Sequence, residues 1–304
     1  MARSKAVPRR RPINDPLALQ QPLVSGRWLA WSLIGIFGGG MLLVYLTSCL
    51  LFWQGQWQIL FKPSHTESSW PSSDGIKFEH LRVGASETGQ PTLDGWYLPA
   101  ATDGRYSGLT FLYLHDMTKG SLSQSVPELG GLHALGINLF AFDYRGFGFS
   151  EFIKPSEKST TEDTEAAWNY LVETRHIPAK SMVLYGEGLG ASLAADAAAR
   201  HPEAAALVMD SPAPTAMELL RADSRSRWMP LRLLAHDRFD PGEALGHLKQ
   251  PLLFLLPPPP ADGPGRRYAE RASDPKMIVS LPSSGAEKYR LEALQRFLDD
   301  LPLS

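Results

Sequence analysis

Between Trp28 and Phe61 the chain runs for 34 residues without an Asp, Glu, Lys or Arg, and this run includes WLAWSLIGIFGGGMLLVYLTSCLLFW. An apolar run of this length has to be buried in a core or in lipid, and a helix of about 20 such residues crosses a bilayer. Residues 28–53 are therefore predicted to form one transmembrane helix. Gly38–Gly40 would weaken that helix in water but are tolerated in lipid, where small residues let helices approach. Ahead of it stand Arg3, Lys5, Arg9, Arg10, Arg11 and Arg27 against the single acid Asp15. Residues 1–27 thus read as a flexible basic N-terminus held on the cytoplasmic side. Everything after the span is then sent to the outer side, the periplasmic or extracellular face of a bacterium. Trp28, Trp31, Trp53 and Trp57 suit the two membrane interfaces. Two other readings stand beside the retained anchor. A cleaved signal peptide is usually shorter and needs a small-x-small site that is not visible here. A lipoprotein reading places lipid on Cys49 of Leu46–Cys49, LTSC. Both still leave the folded domain outside.

The rest of the 304 residues is long enough for one large core, residues 54–304, with a small cap over 214–240. A net charge of -2 with dispersed arginines offers no field for a polyanion, so nucleic-acid binding is not expected. Cys49 is the one cysteine, which excludes an internal disulfide, and no CxxC pair or HExxH is present; no metal or other cofactor is implied.

Short apolar runs recur through the domain. IKFEHLRV and LDGWYLP read as first strands, with turns at Asp74–Gly75 and Gly89–Gln90–Pro91. GLTFLYLHD, INLFAFDYRG, SMVLYG, AALVMDS, QPLLFLLP and KMIVSLP suit a sheet covered on both faces. Helices are expected between them at Ser121–Leu135, at Thr160–Arg175 with Thr160 or Thr161 as the cap, and at Gly190–Arg200. A last helix, AEKYRLEALQRFLDDLP, sets Tyr289, Leu291, Leu294, Phe297, Leu298 and Leu301 on an approximate common face. Strands separated by helical crossovers predict a right-handed α/β sheet.

From about Leu60 to Leu301 the chain resembles the α/β-hydrolases, and among them the serine-aminopeptidase-like, membrane-anchored group with a short cap. FLYLHD resembles that family's strand ending in His-Gly, FDYRGFGFS its Asp-Tyr-Arg-Gly-x-Gly-x-Ser segment, and DSPAPT its Ser-Pro segment. The resemblance implies an α/β-hydrolase fold with a mostly parallel central sheet covered by helices. It also implies hydrolysis by a serine nucleophile, a histidine base and an acid. The family bends sharply between strand and helix so that a G-x-S-x-G serine stands at the apex.

The sequence departs from that pattern at the positions that do the chemistry. The elbow reads Gly186-Glu187-Gly188-Leu189-Gly190, so Gly188 stands where the nucleophile is expected and cannot form an acyl-enzyme. Ser211, at a neighbouring strand end, is the best placed substitute; Ser181 and Ser192 are worse placed. No histidine follows His247, and Ala286 stands where the base is expected. Asp262 is the nearest match to the family's acid, and also reads as a turn acid beside Gly263. The oxyanion hole would use the amides of Leu189 and of Asp116 or Met117, with a carboxylate at Asp116 replacing the expected glycine. His115, Asp116, Glu187 and Asp210 all fall at predicted C-terminal strand ends, where open α/β sheets bind ligands. They read as loop-anchoring groups, or as a carboxylate–histidine cluster for a metal or for acid–base work. Asp143 with Arg145 reads as a turn anchor, and Glu187 as a partner of Lys119 or of water.

The expected function is accordingly that of a membrane-anchored pseudoenzyme. It would bind a protein partner or a small apolar ligand on the outer side. The alternative is an esterase, thioesterase or peptidase acting on acyl substrates through a displaced constellation. The cap segment Arg221–Phe239 would cover a pocket or present a docking face; Trp228, Met229 and Leu231 read as buried in the core or, alternatively, as anchors of that face.

Overall fold

The apolar runs do become strands. In the computed structural model, which describes residues 24–65, 71, 75–84 and 92–301, they are β1 (Glu79–Val83), β2 (Leu93–Leu98), β3 (Thr110–Leu114), β4 (Asn138–Asp143), β5 (Met182–Glu187), β6 (Ala206–Asp210), β7 (Leu252–Leu256) and β8 (Lys276–Ser280). The helices are α1 (Gly26–Gly55), α2 (Trp57–Leu60), α3 (Val126–His133), α4 (Glu157–Asn169), α5 (Gly190–Arg200), α6 (Ala216–Ala222), α7 (Leu231–Leu234), α8 (Gly242–Leu245), α9 (Gly263–Arg271) and α10 (Ala286–Asp299). The expected turn residues Asp74 and Gly89–Pro91, and most of the basic N-terminus, lie outside the described residues.

The chain divides into two compact units, Met1–Leu51 and Phe52–Ser304. The first contains most of α1, a helix of 30 residues and so about 45 Å long at 1.5 Å per residue. It is long and apolar enough to cross a membrane, and its large side chains are exposed through Leu51, with Trp31, Phe37 and Met41 each more than two-thirds uncovered. A helix with no polar face has nothing to turn toward water. Cys49 lies within it as a free thiol.

In the second unit one eight-stranded sheet runs in the order β1-β2-β4-β3-β5-β6-β7-β8. It is mixed: β1–β2 and β2–β4 pair antiparallel, and the five pairings from β4 to β8 are parallel. The run β2 to β7 is almost wholly buried, because both faces are covered and alternate side chains enter two separate apolar layers. One layer holds Leu112, Leu114, Leu184 and Met209 with the alanines of α5; the other holds Phe111, Tyr113, Tyr185 and Val208 with Leu294, Phe297 and Leu298 of α10.

Three local expectations are corrected. α4 starts at Glu157, capped by Ser156 in a reciprocal pair with Ser159, because the Ser156 side chain reaches the Ser159 amide; Thr160 and Thr161 lie inside the helix. Tyr289 is 52% exposed, since the residues that α10 buries are Ala293, Leu294, Phe297 and Leu298, with Leu301 just beyond its end. Within the cap segment Leu231 is buried and Met229 half-buried, but Trp228 is 77% exposed.

Candidate functional site

The elbow is built. β5 ends at Glu187, α5 begins at Gly190, and Gly188 between them holds φ +55°, a left-handed conformation that glycine adopts without steric cost. Its amide donates to the Asp210 carbonyl at 3.0 Å and its carbonyl accepts from the Ala213 amide at 3.0 Å, so the β6 end pins the apex from both sides. Gly186 and Gly190 serve a different purpose. A Cβ at the first would overlap the Gly190–Ala191 backbone, and one at the second would overlap the Leu114 and His115 carbonyls. The close strand–helix approach requires both glycines.

At Gly188 a Cβ would overlap the carboxylate of Asp116. That side chain therefore occupies the volume into which a residue at the apex would project. Asp116 Oδ1 accepts from the Thr118 amide at 3.0 Å, the Thr118 hydroxyl at 2.9 Å and, more weakly, the Leu189 amide at 3.4 Å. The Leu189 N–H is the donor that an oxyanion would use in this fold; here a resident carboxylate points at it. Burial raises the Asp116 carboxyl above its ordinary value, against the opposing bond from the Thr118 amide.

A second group lies on the tyrosine side of the same strand ends. Tyr113 and Tyr185 pair in register across β3 and β5 with ring centroids 5.4 Å apart. Glu187 and Asp210 pair in register across β5 and β6. Because Tyr185 and Glu187 are two residues apart on one strand, they share a face. The Tyr113 hydroxyl donates to Glu187 Oε2 at 2.6 Å and the Tyr185 hydroxyl to Asp210 Oδ2 at 2.5 Å. Each carboxylate also has its own cation: Lys119 Nζ stands 2.5 Å from Glu187 Oε1, and Arg290 Nε 2.7 Å from Asp210 Oδ2. Burial would raise Glu187, but Lys119, the Tyr113 hydroxyl and Arg290 together outweigh it and hold the carboxyl below its ordinary value. For Asp210 burial prevails over the pull of Arg290, and its carboxyl is raised. Two adjacent buried carboxylates are thus matched by two cations and three hydroxyls, those of Tyr113, Tyr185 and Ser211.

The remaining residues settle into anchoring positions. Ser211 donates to Asp210 Oδ1 at 2.9 Å and Ser192 to the Phe239 carbonyl at 3.2 Å. Asp262 pairs with Arg266 one helical turn on, at 2.6 Å. Asp143 Oδ1 accepts from the Leu122 amide at 2.7 Å, and Arg145 pairs with Asp163 and Glu162. Met117 is buried, its carbonyl accepting from the Lys62 amide. His115 is 1% exposed, packed on Tyr144 at 4.7 Å, with Nε2 without a hydrogen bond and 3.6 Å from Asp143 Oδ1. Burial lowers its pKa to about 4. Among the described residues no group of three His, Cys, Asp or Glu side chains is placed to hold a metal ion. Ala286 opens α10 directly after Gly285, in a half-buried position.

Sequence reasoning missed Arg290 as the partner of Asp210, and the roles of Tyr113 and Tyr185. The tyrosines had a signal, since equivalent positions of two strands ending at adjacent acids carry the same residue. Arg290 had only its place one turn beyond Ala286, which does not say which way it points.

Comparison with known proteins agrees with this architecture. Residues 128–239 match the family described as serine aminopeptidase, S33. An uncharacterized protein of Mycobacterium tuberculosis is 28% identical over 261 residues, covering 83% of this chain and 90% of its own length. The human alpha/beta hydrolase domain-containing protein 17B is 29% identical over 148 residues, 48% of each chain. Among solved structures, an esterase of Pyrococcus furiosus superposes with a TM-score of 0.62 at 16% identity, covering 80% of this chain and 98% of that one. An alpha-beta hydrolase of Vibrio vulnificus superposes with a TM-score of 0.59 at 20% identity, covering 84% and 91%. At such identities the likeness speaks for the architecture, and the elbow, the mixed eight-stranded sheet and the strand order agree with it: the chain has the α/β-hydrolase fold, with one N-terminal helix long and apolar enough to cross a membrane.

Proposed function

We propose that this is a membrane-anchored protein of α/β-hydrolase fold that does not run the serine-hydrolase reaction and acts by binding a partner or ligand. The observation that carries this reading is the Asp116 carboxylate, which fills the space of an apex side chain and takes the Leu189 amide. The reaction needs a nucleophile, a proton acceptor and an empty oxyanion hole. Gly188 supplies no nucleophile, and a negative charge already sits against the hole. Ala286 stands where the resemblance expects the histidine base, and the cation one turn on, Arg290, is held on Asp210. A guanidinium stays protonated throughout the accessible pH range and cannot shuttle a proton.

The comparisons lend more support to a second reading, a hydrolase of acyl substrates with a displaced constellation, because the matching family and the solved neighbours carry the names of hydrolases. That site would draw on Asp116, Glu187, Asp210 and Ser211. The two readings separate in one experiment, in which the full chain in detergent is assayed on short and long acyl esters, thioesters and aminoacyl amides. No turnover above a mock preparation from folded protein is expected. Turnover that disappears in Ser211→Ala or Asp116→Asn would establish the hydrolase and end the binding-protein reading.

In the same proposal the basic residues before α1 keep the N-terminus cytoplasmic and place the domain on the outer side. Protease added to intact cells should then digest a tag after residue 304 and spare one before residue 1. The reverse pattern would overturn the orientation.

A further inference from the structure

The cap segment Arg221–Arg238 has a composition unlike the rest of the domain surface. Trp228 is 77% and Leu233 83% exposed, and exposed Arg221, Arg225, Arg227, Arg232 and Arg238 stand among them. Its acids are already engaged: Asp223 is held by Arg225 at 2.8 Å, and Asp237 is buried and accepts from the Glu157 amide. Arg221, Arg227 and Arg232 form no ion pair with any described residue, and they line an open groove of about 820 Å³ together with Met229, Leu231 and Leu233. An exposed tryptophan and leucine ringed by arginines is expensive to keep against water alone. It matches a surface that is apolar below and anionic above, where the indole sits at headgroup depth and the guanidinium groups reach phosphate.

Position in the chain says which surface. The segment is bonded to residues at the C-terminal end of α1 and just after it. Gln56, fully buried, donates to the Leu234 carbonyl at 2.8 Å, and the Trp53 ring meets His236 edge-on at 6.3 Å. All these residues belong to the second compact unit. Trp53 to Gln56 close the apolar helix in the chain, so the segment fastened to them is tied by connectivity to the end of the span that α1 would make.

We propose that the cap segment is a second membrane contact, in which Trp228 and Leu233 enter the interface of an anionic phospholipid bilayer and Arg221, Arg227 and Arg232 bind its headgroup phosphates. The contact fixes the orientation of the domain on the membrane that α1 anchors; it rests on the reading of α1 as a membrane span.

The test uses the full chain carrying Cys49→Ser and Trp228→Cys, labelled at residue 228 with an environment-sensitive fluorophore. The labelled chain is reconstituted into nanodiscs of phosphatidylcholine alone or of an equal mixture with phosphatidylglycerol. The same label at Tyr289→Cys, on the exposed side of α10, is the control. A several-fold lower iodide quenching constant at 228 than at 289 is expected in the anionic discs, with a blue-shifted emission. Arg221→Glu with Arg232→Glu should abolish that protection while leaving incorporation unchanged. Equal quenching at 228 and 289 in discs that contain the chain would overturn the proposal and leave the anchor standing. So would protection in phosphatidylcholine discs of the same size that persists in the charge-reversed chain, or protection in lipid-free detergent solution that points to a second copy of the chain. A chain that fails to co-elute with the discs overturns the anchor and the contact together.

Discussion

Two loops at the same end of the sheet, the elbow between β5 and α5 and the loop between β8 and α10, each turn on a left-handed glycine, Gly188 at φ +55° and Gly285 at φ +67°. Their surroundings differ. A Cβ at Gly188 meets the Asp116 carboxylate, whereas a Cβ at Gly285 meets nothing within 4 Å. In the elbow a neighbour fills the space that a side chain at the apex would take. In the other loop the space stands open, and one turn into α10 Arg290 reaches Asp210. The first difference is steric and the second electrostatic. Restoring a side chain at either site is therefore a different physical problem.

The largest effect should come from the electrostatic side. Arg290→Met leaves Asp210, 2% exposed, without its cation, and breaking one half of a buried pair costs about 3–5 kcal/mol. Urea denaturation of the full chain in detergent measures it; a loss below the size of a surface ion pair would mean that Tyr185 and Ser211 alone hold the carboxylate.

The steric side comes next. Gly188→Ala combines about 1–2 kcal/mol for a Cβ in the left-handed region with about 1–3 kcal/mol for overpacking. Asp116→Gly in the same chain should return the second part, so the double mutant is expected to be less damaged than the sum of the two singles. Additive losses would show that the two residues do not compete for one space. Gly188→Ser with Asp116→Gly should still show no labelling by a fluorophosphonate, because in the proposed reading Ala286, not a histidine, follows Gly285 where the base is expected.

A third test concerns His115, which sits beside the elbow. Its folded pKa of about 4 lies below the ordinary 6.5, so as pH falls the unfolded chain takes up the proton first. Stability from this group is present above 6.5 and is lost as pH falls toward 4, by roughly 3 kcal/mol. His115→Gln should flatten that part of the stability profile between pH 7 and pH 4. An unchanged slope would place the titrating group elsewhere.

The smallest effect is at the open glycine. Gly285→Ala meets no atom and carries only the conformational cost of about 1–2 kcal/mol. If it equals Gly188→Ala in a thermal unfolding series, Asp116 contributes nothing to the difference between the loops.

Much of this was legible beforehand. The strand runs are apolar over both faces, so they announce a covered sheet without any knowledge of their partners. α5 was read at its observed limits because Gly190 and Arg200 bound an alanine-rich segment, whereas α4 was misplaced by three residues because its cap, Ser156, lies ahead of the apolar pattern. The amphipathic face of α10 was drawn one residue too wide at Tyr289, which a helical wheel cannot separate from Leu291 without knowing how far the sheet extends. Trp228 was assigned to the interior on residue type, and type alone says nothing about whether a cap segment has a core beneath it.

By itself the sequence determined that Gly188 has no nucleophile, that no histidine follows position 247, and that a 34-residue uncharged run precedes the domain. These are statements about which atoms exist. The tertiary structure chose Lys119 over water for Glu187, and it alone decided where the other charges go: Asp116 into the apex volume and Arg290 to Asp210 across 80 residues of chain. The reason is burial. A carboxylate at a strand end is harmless in water and costly once both faces of the sheet are covered, so each one must find a donor or a cation. Which partner it finds depends on the side chains that the fold brings within about 3 Å, a distance that neighbours in sequence do not fix.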